Sequence, residues 1–155
     1  MVEIERKFLV KYDTFKTEAF KKTSIVQGFL NTHPERTVRV RIKGEKAFLT
    51  VKGKSNEAGT VRMEWETNIE VTDAVRLLKI AEDGQIEKIR YEVKAGRHIF
   101  EIDEFFGNNK GLIIAEIELS QEDESFERPD WLGDEVTGII KYYNSQLSKK
   151  PYCSW

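Results

Sequence analysis

The sequence predicts a mainly β fold, an antiparallel barrel or strongly curved sheet with helices packed around it. Three observations predict this. Apolar and polar residues alternate with period two through most of the chain, the mark of half-buried strands. Short glycine-bearing connections such as Gly44-Glu45 and Ala95-Gly96-Arg97 separate the alternating stretches, so neighbours run antiparallel. Three other segments place their apolar residues at helical spacing.

In chain order the expected strands are Val2–Val10, Ser24–Asn31, Arg36–Lys43, Ala47–Gly53, Thr60–Val71, Gln85–Lys94, His98–Phe105 and Leu112–Ser120. Gly107 to Gly111 supply the turn between the last two. A helix is expected over Tyr12–Lys22, capped by Asp13 or Thr14. A second, over Thr72–Asp83, has Thr72 as its N-cap and Gly84 as its stop. A third, over Asp134–Lys149, aligns Val136, Ile139, Ile140, Tyr143 and Leu147 on one face.

The length, 155 residues, fits one domain spanning residues 1–155. Charged residues make up 34% of the chain, yet 25 basic and 27 acidic residues nearly cancel. That balance excludes a disordered acidic chain and a general nucleic-acid binder, which needs a strongly basic face. Cys153 is the only cysteine, so no internal disulfide can form. The N-terminus lacks a basic region followed by an apolar one, and no apolar run is long enough to span a bilayer. A cytoplasmic protein without membrane association is expected.

The charges carry the chemistry. Alternation puts Glu3, Glu5 and Lys7 on one face of the first strand. It does the same for Arg39 and Arg41, for Arg62, Glu64 and Glu66, for Lys88 and Arg90, for Glu101 and Asp103, and for Glu116 and Glu118, with Lys52 closing the fourth strand. A solvated outer face explains any one of these. Same-sign pairs on so many strands ask for something more, because like charges at i and i+2 stand about 6.5–7 Å apart and repel. If the faces converge, carboxylates suit a hard cation such as Mg²⁺ or Mn²⁺, and Arg and Lys suit phosphate oxygens. A metal polyphosphate satisfies both sets.

Glu3-Ile4-Glu5-Arg6-Lys7-Phe8 resembles the ExExK signature of the CYTH family, the triphosphate tunnel metalloenzymes. Gln27-Gly28-Phe29-Leu30 is similar to the family's second strand. Arg39-x-Arg41, Thr50-x-Lys52, Glu64-x-Glu66, Glu87-Lys88-x-Arg90-Tyr91, Glu101-x-Asp103 and Glu116-x-Glu118 follow in the family's order. Trp131-x-Gly133-Asp134-Glu135-Val136-Thr137 and Lys141-Tyr142-x-Asn144 resemble the end of short bacterial members. The resemblance implies an eight-stranded antiparallel barrel forming a tunnel with a charged interior. It implies Glu3, Glu5, Glu116 and Glu118 as metal ligands, joined by Glu64 and Asp103 at a second position or its water shell. Lys7, Arg39, Arg41, Lys52, Lys88 and Arg90 match phosphate-gripping positions, and the family's final helix at one tunnel mouth would place Lys141 with them, near the substrate or plugging that end. Lys88 resembles a lysine that some members pair with a tyrosine to activate water. Phe29 stands where that tyrosine is expected, which leaves water activation to the metal and Lys88, or to another tyrosine such as Tyr91.

The implied activity is divalent-metal-dependent hydrolysis of a triphosphate, foremost inorganic tripolyphosphate. A class IV-type adenylate cyclase, a thiamine or nucleoside triphosphatase and a non-catalytic polyphosphate binder share the same grip. A barrel with an apolar lumen is the unrelated alternative, recognisable by solvent-exposed Glu3 and Glu116. His33, His98, Trp65 and Trp131 read as structural residues, and the aromatic tail ending at Trp155 admits packing on the chain itself or on a homodimer partner.

Overall fold

The computed structural model describes residues 1–155. Eight strands match the expected set to within three residues at each end: β1 Val2–Val10, β2 Lys21–Asn31, β3 Arg36–Lys43, β4 Lys46–Gly53, β5 Val61–Ile69, β6 Ile86–Ala95, β7 His98–Phe105 and β8 Ile113–Glu118. All pair antiparallel in the order β5-β4-β3-β2-β6-β7-β8-β1, and β1 pairs β5 to close the barrel. The closing seam is short. β1 pairs with β5 through Val2 to Ile4 on one edge, while its other edge pairs with β8 from Glu5 to Leu9.

That seam explains the first departure from expectation. Beyond Ile4 one edge of β1 has no strand from the barrel, and Leu132–Glu135 fills it as β9, with Phe8 opposite Glu135 and Val10 opposite Leu132. The predicted helix over Asp134–Lys149 therefore does not form. Its start is a strand, Gly138 turns the chain at φ +77°, and only one 3₁₀ turn (Ile140–Tyr142) and one helical turn, Asn144–Leu147, remain. An unpaired strand edge outweighs the weak helical preference of a short stripe. The first helix shrinks too, to α1 Phe15–Glu18, because β2 already pairs with β6 at Lys21 opposite Glu92. The central helix, α2, spans Val71–Lys79 with Glu70 at the N-cap rather than Thr72. The single turn Asn144–Leu147 is α3.

The main hydrophobic core lies outside the barrel wall. Phe8, Tyr91, Val93, Phe100, Ile102 and Ile117 face outward and are covered by Phe15 of α1 and by Trp131 ahead of β9. Phe15 and Phe100 each meet the Trp131 ring edge-on. On another side α2 packs Ala74, Leu77 and Leu78 against the outer face of β3 and β4, around Val40 and Ala47. Gly28 makes room for it. A Cβ there would stand 3.0 Å from Leu78 and 3.2 Å from Ala81. Trp131 is fully buried as a packing residue, whereas Trp65 stands half exposed on the outer face of β5. No helix is long and apolar enough to cross a membrane.

A second cluster sits inside one end of the barrel. Phe29, Ile86, Phe105 and Ile114 lie on the same strand faces as the charged rows and meet Leu112 and Leu147. On β6, β7 and β8 the inward row is thus apolar at one end and charged along the rest, so α3 caps an apolar plug with a polar lumen beyond it.

Candidate active site in the barrel lumen

The inward rows converge on one continuous lumen with two chambers. The chamber next to the plug is lined by Lys7, Arg39, Lys52, Arg62, Lys88 and Arg90 against only two carboxylates, Glu5 and Glu116. The other has seven carboxylates, Glu3, Glu5, Glu64, Glu66, Glu101, Glu116 and Glu118, facing Arg39, Arg41, Lys43, Lys52 and Arg90. Glu5, Arg39, Lys52, Arg90 and Glu116 belong to both and mark the junction. None of the twelve residues of the acidic chamber is hydrophobic, which rules out an apolar ligand barrel. Side chains of Glu3 and Glu116 are 13% and 14% exposed, so they point into the protein rather than outward.

Register holds most of these charges in check. Lys7 lies opposite Glu116, Arg90 opposite Asp103 and Lys52 opposite Glu64. Lys52 Nζ donates to Glu3 at 2.8 Å and lies 3.3 Å from Glu64. Lys7 stands 3.7 Å from Glu116, and Arg39 and Arg41 flank Glu66 at 3.5 and 3.6 Å. Thr50 joins this last group, donating to Glu66 and accepting from Arg39, which explains a threonine at a position that strand preference alone would also allow. Burial lowers the Arg41 pKa to about 10, helped by Arg39 and Arg90.

Asp103 departs from its expected role. It is almost fully buried and lines neither chamber; Arg90 donates to both its oxygens, and Lys88 Nζ lies 2.8 Å from Oδ2. Those cations overcome burial and hold it well below the usual carboxylate range. Both of its oxygens are thus taken by Arg90 and Lys88, and it anchors those two side chains. Lys88 also donates to Asn144 Oδ1 at 3.0 Å, and Gln27 donates to the same oxygen. Burial, aided by Arg90 and opposed by Asp103, lowers the Lys88 pKa to about 8.

Lys141 lies away from the lumen. Its ammonium lies 4.4 Å from the Trp155 ring centre, on the exposed outer side of the terminal segment, and it lines no part of the lumen. The segment sends in Tyr143 and Asn144 instead, with Lys7 Nζ 5.0 Å from the Tyr143 ring centre. A continuous helix would have given the segment a different inward face; the two short turns present leave Lys141 outside. Lys141→Ala is accordingly expected to leave kcat/KM within about twofold, as surface changes do, in a steady-state phosphate-release assay. Tyr91 does not replace the missing tyrosine either. It faces the outer core against Phe15, and its hydroxyl approaches Glu104.

Phe29 lines the cationic chamber and packs in the plug. A hydroxyl there would add a donor and acceptor to the chamber that holds Lys88. Phe29→Tyr is expected to change kcat more than KM; an unchanged kcat would remove this position from the chemistry.

A family model for the CYTH domain matches residues 1–151. The chain belongs to the CYTH family. It is similar to an inorganic triphosphatase of Acetivibrio thermocellus, 45% identical over 97% of this chain and 95% of that protein. An inorganic triphosphatase of Nitrosomonas europaea is 37% identical over 96% and 97%. A crystal structure of an inorganic triphosphatase superposes with a TM-score of 0.64 at 33% identity, covering 94% of this chain and 93% of that one. A conserved protein of Pyrococcus furiosus shares the fold alone, at 21% identity, a TM-score of 0.63 and coverage of 78% and 80%.

The acidic rows of this CYTH lumen have the donor chemistry of a hard-cation site. Register sets Glu5 opposite Glu118 and Glu101 opposite Glu116, like charges that destabilise a sheet unless a cation lies between them. Glu5 has neither an ion pair nor a side-chain hydrogen bond. Burial, and then the Glu116 charge, pushes its pKa up to about 8. Glu118 is raised as well, by burial and then by Glu3 and Glu101. Oxygen-only ligands under mutual repulsion fit Mg²⁺ or Mn²⁺. In the present arrangement no three of these groups converge on one point, because Lys52 and Lys7 draw Glu3 and Glu116 toward themselves.

Proposed function

We propose that this CYTH protein hydrolyses inorganic tripolyphosphate inside the barrel with the help of a divalent cation. The observation that carries the reading is the division of the lumen into a chamber rich in cations and one rich in carboxylates, sharing Glu5 and Glu116. Two full-length relatives bearing the name inorganic triphosphatase support it.

In this reading Lys7, Arg39, Lys52 and Arg90 hold the phosphate oxygens, Arg39 with a planar fork suited to two of them and Arg90 through the N–H groups that its bonds to Asp103 and Glu101 leave over. Arg41 reinforces them through the shared Glu66. Their charges are fixed before substrate arrives, so they stabilise the negative charge that accumulates on the leaving oxygen at little cost in reorganisation. Glu3, Glu5, Glu116 and Glu118 are the residues that would hold Mg²⁺ or Mn²⁺, with Glu64 at the edge of the set. Such an ion neutralises phosphate charge and polarises a phosphoryl oxygen. Lys88 in its neutral form takes a proton from the attacking water. A new P–O bond forms on the terminal phosphorus, the bridging P–O bond breaks, and orthophosphate and pyrophosphate result. Asp103 and Asn144 hold the Lys88 amine in place.

The test is a substrate panel with Mg²⁺ or Mn²⁺, measuring phosphate release and cyclic AMP from tripolyphosphate, ATP and thiamine triphosphate. Fastest release from tripolyphosphate is expected. Cyclic AMP as the main product, or metal-dependent binding without turnover, would reject the reading.

A further inference from the structure

Arg62 is the only cation of the cationic chamber without a carboxylate partner. Lys7, Arg39, Lys52, Lys88 and Arg90 all have one. The residue opposite Arg62 in register is Glu3, but Lys52 holds that carboxylate. Arg62 rests on neutral oxygens instead: Nε donates to the Gly53 carbonyl at 3.0 Å, and Nη2 lies 3.5 Å from the Thr37 hydroxyl. Beside it the Ser55 hydroxyl is buried with no hydrogen-bond partner. A free guanidinium and an unsatisfied buried hydroxyl are both groups that an anion would satisfy.

Arg62, Thr37 and Ser55 line the cationic chamber and also a vestibule that leads outward past Tyr143. β5 and β6 stand four places apart around the eight-stranded ring, on opposite walls. Arg62 therefore faces Lys88 from across the lumen. We infer that Arg62, Thr37 and Ser55 form an outer anion subsite for the phosphate farthest from Lys88, and that this subsite sets a preference for three phosphates over two. The inference rests on the triphosphatase reading.

Binding of inorganic tripolyphosphate and of pyrophosphate, each with Mg²⁺, is measured by calorimetry on the wild-type protein and on Arg62→Gln, Arg62→Lys and Ser55→Ala. Arg62→Gln is expected to weaken tripolyphosphate by about tenfold to a hundredfold, the worth of a charged hydrogen bond. Pyrophosphate, short of the subsite, shifts by no more than about threefold, so the selectivity between the two collapses. Ser55→Ala moves it the same way by about threefold to tenfold, and Arg62→Lys keeps most of it. Equal weakening of both anions, or no change in either, would overturn the subsite. So would loss of selectivity in Arg62→Lys at an unchanged melting temperature, since the charge is then present but idle. A wild-type protein that binds tripolyphosphate without releasing phosphate defeats the parent reading, while the binding ratio still judges the subsite.

Discussion

Replacing Lys88 with methionine is expected to lower kcat by roughly a hundredfold to ten-thousandfold, the range for losing a positioned base, with a much smaller change in KM. The amine sits where it can act, buried in the cationic chamber between Asp103 and Asn144. Its pKa of about 8 leaves part of it neutral near physiological pH. The sign follows from that value. Below pH 8 Lys88 is mostly protonated and cannot accept a proton, so kcat/KM rises tenfold per pH unit and levels off above about 8. In the complex, phosphate charge favours the ammonium, and the limb in kcat moves upward. Lys88→Met also leaves buried Asp103 with Arg90 as its sole partner. Lys88→Arg separates the roles, because it keeps a cation against Asp103 yet never deprotonates. Loss of rate and of the pH limb in the arginine variant confirms the base; a retained limb assigns the titration to another group.

Glu5→Gln is expected to remove metal-dependent activity, by roughly a hundredfold or more, while raising the melting temperature of the metal-free protein. Glu5 is held near a pKa of about 8, against 4.5 for an ordinary glutamate, by burial and by Glu116. The folded state therefore keeps its proton where the unfolded chain has lost it. Below pH 4.5 the difference costs nothing. It grows as pH rises through the window from 4.5 to 8 and is complete above it, on the order of a few kcal/mol. For a chain of this size each kcal/mol moves the melting temperature by about 2–4 °C. The glutamine variant should gain most over wild type at pH 8 to 9 and nothing at pH 4. Mg²⁺ should stabilise the wild type more at pH 8 than at pH 6 and leave the variant nearly unmoved. Thermal melts across pH, with and without Mg²⁺, measure both. An equal Mg²⁺ shift in the two proteins would take Glu5 out of the ion site.

Period-two alternation determined the strands to within a few residues, and the charged row on every barrel strand but β2. It succeeds because a strand's side chains alternate by geometry, whatever surrounds it. Glu3, Glu5 and Lys7 were legible in this way, and so were Arg39 with Arg41, Lys88 with Arg90, and Glu116 with Glu118. Alternation cannot say whether a charged row faces water or a lumen, since both look the same along one strand. Closure of β1 on β5 decided that, and pairing across the barrel decided which charges meet. Asp103 and Glu101 share a row, yet Arg90 and Lys88 hold Asp103 beneath the cavity surface, and only Glu101 lines the acidic chamber. The terminal segment was the least legible part. The start of the expected helix pairs with β1 as part of β9, and in the rest Lys141 lies out at Trp155 while Asn144 comes in to Lys88. The sequence by itself settled which residues carry charge and on which strand face. Tertiary structure alone settled their partners, because an ion pair between residues up to 129 positions apart depends on where the chain returns.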